Sequence, residues 1–128
     1  MSNGSWDPIE DLARDKKMTI VDSNIAQLII NKDEIIPYFN SLCYTFENNH
    51  ISFEDAMETI NKCIRKRNEM VVQKKSVDDL ANYIKRRPQL NGIEQPTLAC
   101  LVICIAYKQH MTLLKRTIGN YLKDLKRQ

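Results

Sequence analysis

Glycine and proline are scarce in this chain, with three and four among 128 residues. A β-sandwich or barrel needs tight turns at many strand ends, so this scarcity argues against both. No apolar run reaches membrane length. The longest strongly apolar stretch, residues 98–107, is about half of the ~20 residues that a spanning helix needs. The first twenty residues include Asp7, Glu10, Asp11 and Asp15 and hold no apolar core of a secretory signal. Catalytic signatures are also missing. There is no phosphate-cradling Gly-rich loop, no G-x-S-x-G and no H-E-x-x-H. Neither an internal repeat nor a low-complexity tract is visible.

Four cysteines, Cys43, Cys63, Cys100 and Cys104, occur without a secretory signal, which fits free thiols in a reducing compartment, cytoplasm or nucleus. Cys100 and Cys104, four residues apart, share one helical face. However, no Cys-x₂-Cys knuckle exists, and all four cysteines sit in apolar patterns where Cys acts as a small hydrophobe. No metal ligand is assigned. His50 and His110 are the only histidines, and neither has a neighbour in the sequence that would position it as a general base. The acids Asp33-Glu34 and Glu54-Asp55 occur at helix starts, where capping explains them. The expectation is a non-enzymatic protein with no catalytic residue and no cofactor.

At 128 residues the chain is long enough for one domain that buries a real core. Residues 1–21 read as a flexible arm with Trp6 and Ile9 as possible anchors, and 22–128 as a single helical domain. Ser23 opens a short helix using Ile25, Leu28 and Ile29. Asp33 is read as the cap of the next, with the stripe Ile35, Ile36, Phe39, Leu42, Cys43 and Phe46, and with Pro37 in its first turn. Asn48, Asn49 and His50 end it. Ser52 and Asp55 resemble a capping box for a helix whose buried stripe reads Phe53, Met57, Ile60, Ile64 and Val71. Ser76 caps a shorter helix that uses Leu80, Ala81 and Ile84 and stops before Pro88.

Asn91-Gly92 marks a turn, and Pro96 suits the first position of a helix. From Leu98 to Ala106 every side chain is apolar. A helix apolar all round is buried all round. The β-branched Val102, Ile103 and Ile105 also suit a strand, but flanking Ala, Leu and Cys and the lack of a partner strand favour a helix over about 97–108. A last helix from about Met111 to Leu125 carries the stripe Leu114, Ile118, Tyr121, Leu122 and Leu125, weakened locally by Gly119. The fold expected is all-α: a compact bundle of five or six helices around the central apolar one.

Charge is what the chain has in abundance, and it is sorted by position. Residues 1–60 carry four Lys/Arg against eleven Asp/Glu, a balance of −7, whereas residues 61–128 carry fifteen against five, a balance of +10. The net +3 hides this separation. The basic positions form three clusters: Lys62, Arg65, Lys66 and Arg67; Lys74 and Lys75 with Lys85, Arg86 and Arg87; and Lys115, Arg116 and Lys123, followed by Lys126 and Arg127. Phosphate backbones are neutralised by many spread cations, so the twelve clustered positions from Lys62 to Lys123 are the candidate nucleic-acid-binding residues. No zinc finger, RNP-type motif or GXXG loop accompanies them, which points to backbone and shape contacts for RNA or DNA alike. Tyr83, Tyr107 and Tyr121 are candidate base-stackers or core-edge residues.

The expected role is regulatory or accessory, and the Ile- and Asn-rich composition suits an AT-rich coding genome such as that of some viruses or phages. A homodimer would double a small footprint. The alternative is an adaptor or inhibitor that binds an acidic protein partner through the basic face, or a partner helix through an apolar groove. No membrane partner is expected.

Overall fold

A computed structural model describes residues 32–126, with side chains from 34 to 123. The arm assigned to residues 1–21 and the short helix expected at 23–29 lie outside the described residues. Five helices pack together: α1 (Lys32–Asn48), α2 (Phe53–Val72), α3 (Val77–Lys85), α4 (Gln95–Tyr107) and α5 (Met111–Lys126), with a 3₁₀ turn at Pro88–Leu90 between α3 and α4. No strand occurs among the described residues. The protein is an all-α bundle.

The apolar segment around Val102 is helical, and every residue from Thr97 to Ala106 is buried. α4 packs against α1, α2 and α3, while α5 closes over α1 and α2. Phe39, Leu42 and Phe46 of α1, Ile60 of α2, Leu80 and Ile84 of α3, and Leu114 and Ile118 of α5 complete one continuous core. Polar ties join the layers at their edges. The Thr97 hydroxyl donates to Ser41 Oγ at 2.9 Å, and the Tyr121 hydroxyl donates to Glu47 Oε1 at 2.7 Å. Asn49 Nδ2 donates to two carbonyls, Gln89 at 3.0 Å and Asn91 at 2.9 Å, locking the α1–α2 corner to the turn before α4.

Several local expectations need correction. Lys32 and Asp33 already lie within α1, so Asp33 is not its cap, and Pro37 sits inside the helix, beyond the first turn. α4 begins at Gln95, with Glu94 as N-cap, which places Pro96 at its second position. The buried face of α2 is rotated from the expected stripe. Ala56, Thr59, Ile60, Cys63 and Met70 are its buried residues, whereas Phe53, Met57 and Ile64 only lean on the core. Three of these five are small, and larger side chains lie at the flanks. Gly119 makes room for one of them: a Cβ there would stand 3.4 Å from Phe53 Cε1, so the α2 start rests on the bare backbone of α5. The capping box expected at Ser52–Asp55 is incomplete, whereas Ser76, expected as a simple cap, forms a reciprocal box with Asp79. Ser52 accepts from Asp55 N, and no return bond forms.

Three helices end in the same way, and without glycine. After α1, His50 has φ 57°; after α2, Lys74 has φ 57°; after α4, Lys108 has φ 56°. In each case the next residue's amide reaches back to a carbonyl in the last turn: Ile51 to Phe46 at 2.9 Å, Lys75 to Met70 at 2.8 Å and Gln109 to Cys104 at 2.9 Å. This is the Schellman arrangement, in which glycine is the favoured residue at the left-handed position. A side chain there costs free energy. Replacing the exposed Lys108 by Gly is therefore expected to stabilise the fold by about 1 kcal/mol, a net of relieved backbone strain over the greater freedom of glycine in the unfolded chain. Urea unfolding of Lys108→Gly at neutral pH measures this, and an unchanged or lowered midpoint contradicts it.

Candidate functional site

The twelve candidate cations are divided by the fold into structural and outward-facing groups. Arg67 is structural: its Nε donates to the Ala106 carbonyl at 3.0 Å, from the second half of α2 to the last turn of α4. Helix-terminal carbonyls lack partners within their own helix, so a side chain from α2 supplies one. Burial holds the Arg67 guanidinium below its ordinary pKa. Arg87 is also structural. Its Nε donates to the Tyr83 carbonyl at 3.0 Å and its guanidinium lies 4.0 Å from the Tyr83 ring centroid. It satisfies the end of α3 and holds the ring of the same residue.

Arg65 and Lys66 carry acids beside them, unlike the nearly acid-free clusters suggested by sequence. Arg65 Nη2 meets Glu58 Oε1 at 2.8 Å, with both side chains more than half exposed. Such pairs are worth little in water. Lys66 Nζ stands 3.8 Å from Glu69 Oε1 and 5.3 Å from the Tyr83 ring centroid. Lys62, Lys74, Lys75, Lys85, Arg86 and Arg116 are exposed, and Lys115 is half-buried. Lys123 is exposed, with its Nζ 4.5 Å from the Phe53 ring centroid.

Three of these cations meet in one place. A cleft of about 490 Å³ runs between the second half of α2 and α3, lined by Lys66, Met70, Gln73, Lys75, Asp79, Asn82, Tyr83 and Arg86. Lys66 comes from α2, Lys75 from the corner and Arg86 from the C-cap of α3. The corner geometry depends on Lys74 in the left-handed conformation and on the Ser76 cap. One acid lines the cleft, Asp79, and its Oδ2 already accepts from Ser76 N at 3.1 Å. The cations of α5 are not brought to this cleft, because α5 packs on α1 and α2 and makes no major contact with α3. Arg116 instead lines a smaller hollow of about 220 Å³ with His110, Thr112 and Leu113.

Sequence reasoning named Tyr83 as a base-stacker or core-edge residue, and it does pack against the core, but it missed Gln73 and Asn82. Their signal was weak: two polar residues on a helix-turn-helix corner look like ordinary solvated positions. Tyr107 and Tyr121 pack against the core, with the Tyr121 ring edge-on to Tyr44 at 5.4 Å between centroids.

The cysteines show no reactive arrangement. All four are buried and free, and no group of three His, Cys, Asp or Glu side chains fit to hold a metal is found among the described residues. Burial pushes the Cys43 thiol up to about 12. Cys63 is likewise pushed up to about 12 by burial, with slight opposition from the positive charge of Arg87. A hydrogen bond with Cys100, and then burial, raise Cys104 further.

A comparison with protein-family models, curated proteins and solved structures gives no match for this chain.

Two outcomes follow. Arg67→Ala leaves the end of α4 without its donor and should cost about 1–2 kcal/mol, whereas Lys62→Ala on the exposed face should stay within about 0.5 kcal/mol. Chemical denaturation separates the two, and equal effects would show that Arg67 is not a structural tie. Because the thiolate is the reactive form, and because pH 8 lies below the raised values of Cys43, Cys63 and Cys104 while Cys100 is buried, the native protein should react slowly with Ellman's reagent. All four thiols should react at once in denaturant, and fast labelling of the native state would contradict the packing.

Proposed function

We propose that this protein is a non-enzymatic nucleic-acid-binding accessory or regulatory factor that holds RNA or DNA through its phosphate backbone. The supporting observation is the α2–α3 cleft, where Lys66, Lys75 and Arg86 converge around Tyr83 and the single acid is engaged in a cap. Lys62, Lys74 and Lys85 extend the positive surface along the two helices on the exposed side. Lys115, Arg116 and Lys123 lie apart from the cleft on α5, which packs on α1 and α2. Binding acts by counterion release: each Lys or Arg that neutralises a phosphate displaces condensed cations. A second copy of the chain would double the binding surface. A reducing compartment, cytoplasm or nucleus, fits the four free thiols. No helix among the described residues is long and apolar enough to cross a membrane.

A second reading is favoured by one observation. Glu58 and Glu69 share the exposed side of α2 with the cations and pair with Arg65 and Lys66. A mixed-charge face suits a protein partner that sets acids against the cations and bases against Glu58 and Glu69 better than it suits a uniform polyanion.

Fluorescence anisotropy with short labelled RNA and DNA at about 50 and 200 mM salt distinguishes the readings. Nucleic-acid binding should fall by orders of magnitude between the two. Replacing Lys66, Lys75 and Arg86 together by Ala should weaken it and lower the salt slope by about 0.7–0.9 for each phosphate that is no longer neutralised. Absence of binding at the lower salt would discard this reading in favour of a protein partner. Binding unaffected by the triple change would move the interface away from the cleft.

A further inference from the structure

Resting on that reading, we infer that the α2–α3 cleft is a seat for one nucleotide of a single strand rather than a rail for a duplex. Its volume of about 490 Å³ falls within the range of pockets that enclose small organic ligands. A lone phosphate leaves most of it empty, and a duplex is too stiff to bend into a concavity of this size. A nucleotide in a flexible strand has the right scale and the right division of chemistry.

The lining matches that division. Lys66, Lys75 and Arg86 supply the cations for the phosphate. Gln73 and Asn82 supply amides suited to base edges and sugar hydroxyls, although Asn82 Nδ2 also donates to Asp78 Oδ2 at 3.4 Å. The Tyr83 ring supplies the apolar surface against which a base is desolvated, and Met70, only 7 % exposed, adds little. Proteins that bind single strands combine a positive groove with an aromatic side chain in this way. Tyr83 is held in place from two directions. Arg87 lies outside the cleft lining, bonds the Tyr83 carbonyl and covers its ring, and Lys66 approaches the ring from within the lining. Arg87 is thus a positioning residue. It keeps the ring fixed and does not itself touch the ligand. Asp79 is the one acid of the lining, and its bond to Ser76 N keeps it turned to the helix start, while Glu69 beside Lys66 and Asp78 beside Asn82 carry further negative charge next to lining residues.

The test is anisotropy with a labelled 12-nucleotide strand and the same strand annealed to its complement, in RNA and DNA forms, at about 50 mM salt. The full chain is compared with a double variant, Gln73→Ala with Asn82→Ala, whose two exposed positions leave the core intact. Single strands are expected to bind at least about tenfold tighter than duplexes. The double variant should lose most of that preference while duplex affinity stays the same. Equal affinity for both forms, or equal weakening of both by the variant, overturns the nucleotide seat and leaves the backbone reading intact. Binding to neither form overturns both. Displacement of the strand by poly-glutamate at matched charge overturns the seat as well, because the cleft would then take any anionic chain.

Discussion

The structure depends on α4 having no polar face. From Thr97 to Ala106 every side chain is shielded, and each buried Leu, Ile or Val contributes about 1.5–3 kcal/mol. A helix of this kind cannot lie at a surface. Its neighbours must turn apolar stripes inward, and α1, α2 and α3 do so. The same demand pushes the charges outward, so the cations of α2 and α3 occupy the solvent side because the inner side is full. Burial also creates a polar problem at the helix end, since α4 brings unpaired carbonyls toward the interior. Arg67 reaches across to Ala106 to meet one of them. A residue of the basic half is thereby committed to the fold before any ligand is considered.

The helix ends show a second constraint. His50, Lys74 and Lys108 occupy left-handed positions that glycine fills at lower strain. Two of the three are lysines, and a cation at a helix C-terminus interacts favourably with the dipole. Part of the backbone cost is offset in this way. At Lys74 the arrangement also has a geometric consequence. The tight reversal brings Lys75 and the Ser76 cap to the mouth of the α2–α3 cleft within a few residues of the end of α2.

The helical architecture was legible in the sequence where periodicity and punctuation agreed. The Ser76 cap, the stop before Pro88 and the Asn91-Gly92 turn each rest on a local rule with one outcome, and the Leu98–Ala106 segment, which also suited a strand, was decided for a helix by its flanking Ala, Leu and Cys. Elsewhere the sequence was ambiguous for physical reasons. On α2, large apolar residues outweigh small ones in any periodicity reading, yet Ala56, Thr59 and Cys63 take the interior. Pro37 looked like a first-turn residue because nothing before it revealed that the helix begins earlier. The site was less legible still. Twelve cations were visible as charges, but Arg67 and Arg87 differ from Lys62 and Lys75 only in the tertiary neighbours that folding brings to them. Gln73 and Asn82 acquire meaning only when α2 and α3 are folded back on each other.

The Tyr83 neighbourhood joins these levels. Its ring sits where α3 leaves the core, and Ile84 beside it is fully buried. The α3 backbone at this point is therefore anchored in the core. Arg87, next to the 3₁₀ turn that Asn49 clamps, fixes the ring from the other side. The chain of contacts runs from the α1–α2 corner, through the 88–91 turn and Arg87, to the cleft. A surface built this way loses little conformational freedom when it binds, which favours affinity by lowering the ordering cost of association. The cations at the rim, by contrast, stand on long exposed side chains that must still be ordered. The best-packed part of the cleft is the buried Met70 with the half-buried Tyr83, whereas Gln73 and Asn82 are exposed like Lys75 and Arg86 at the rim. On the proposed reading, discrimination among ligands would arise at the ring and the two amides, while the lysines and Arg86 would set the strength and the salt dependence of binding.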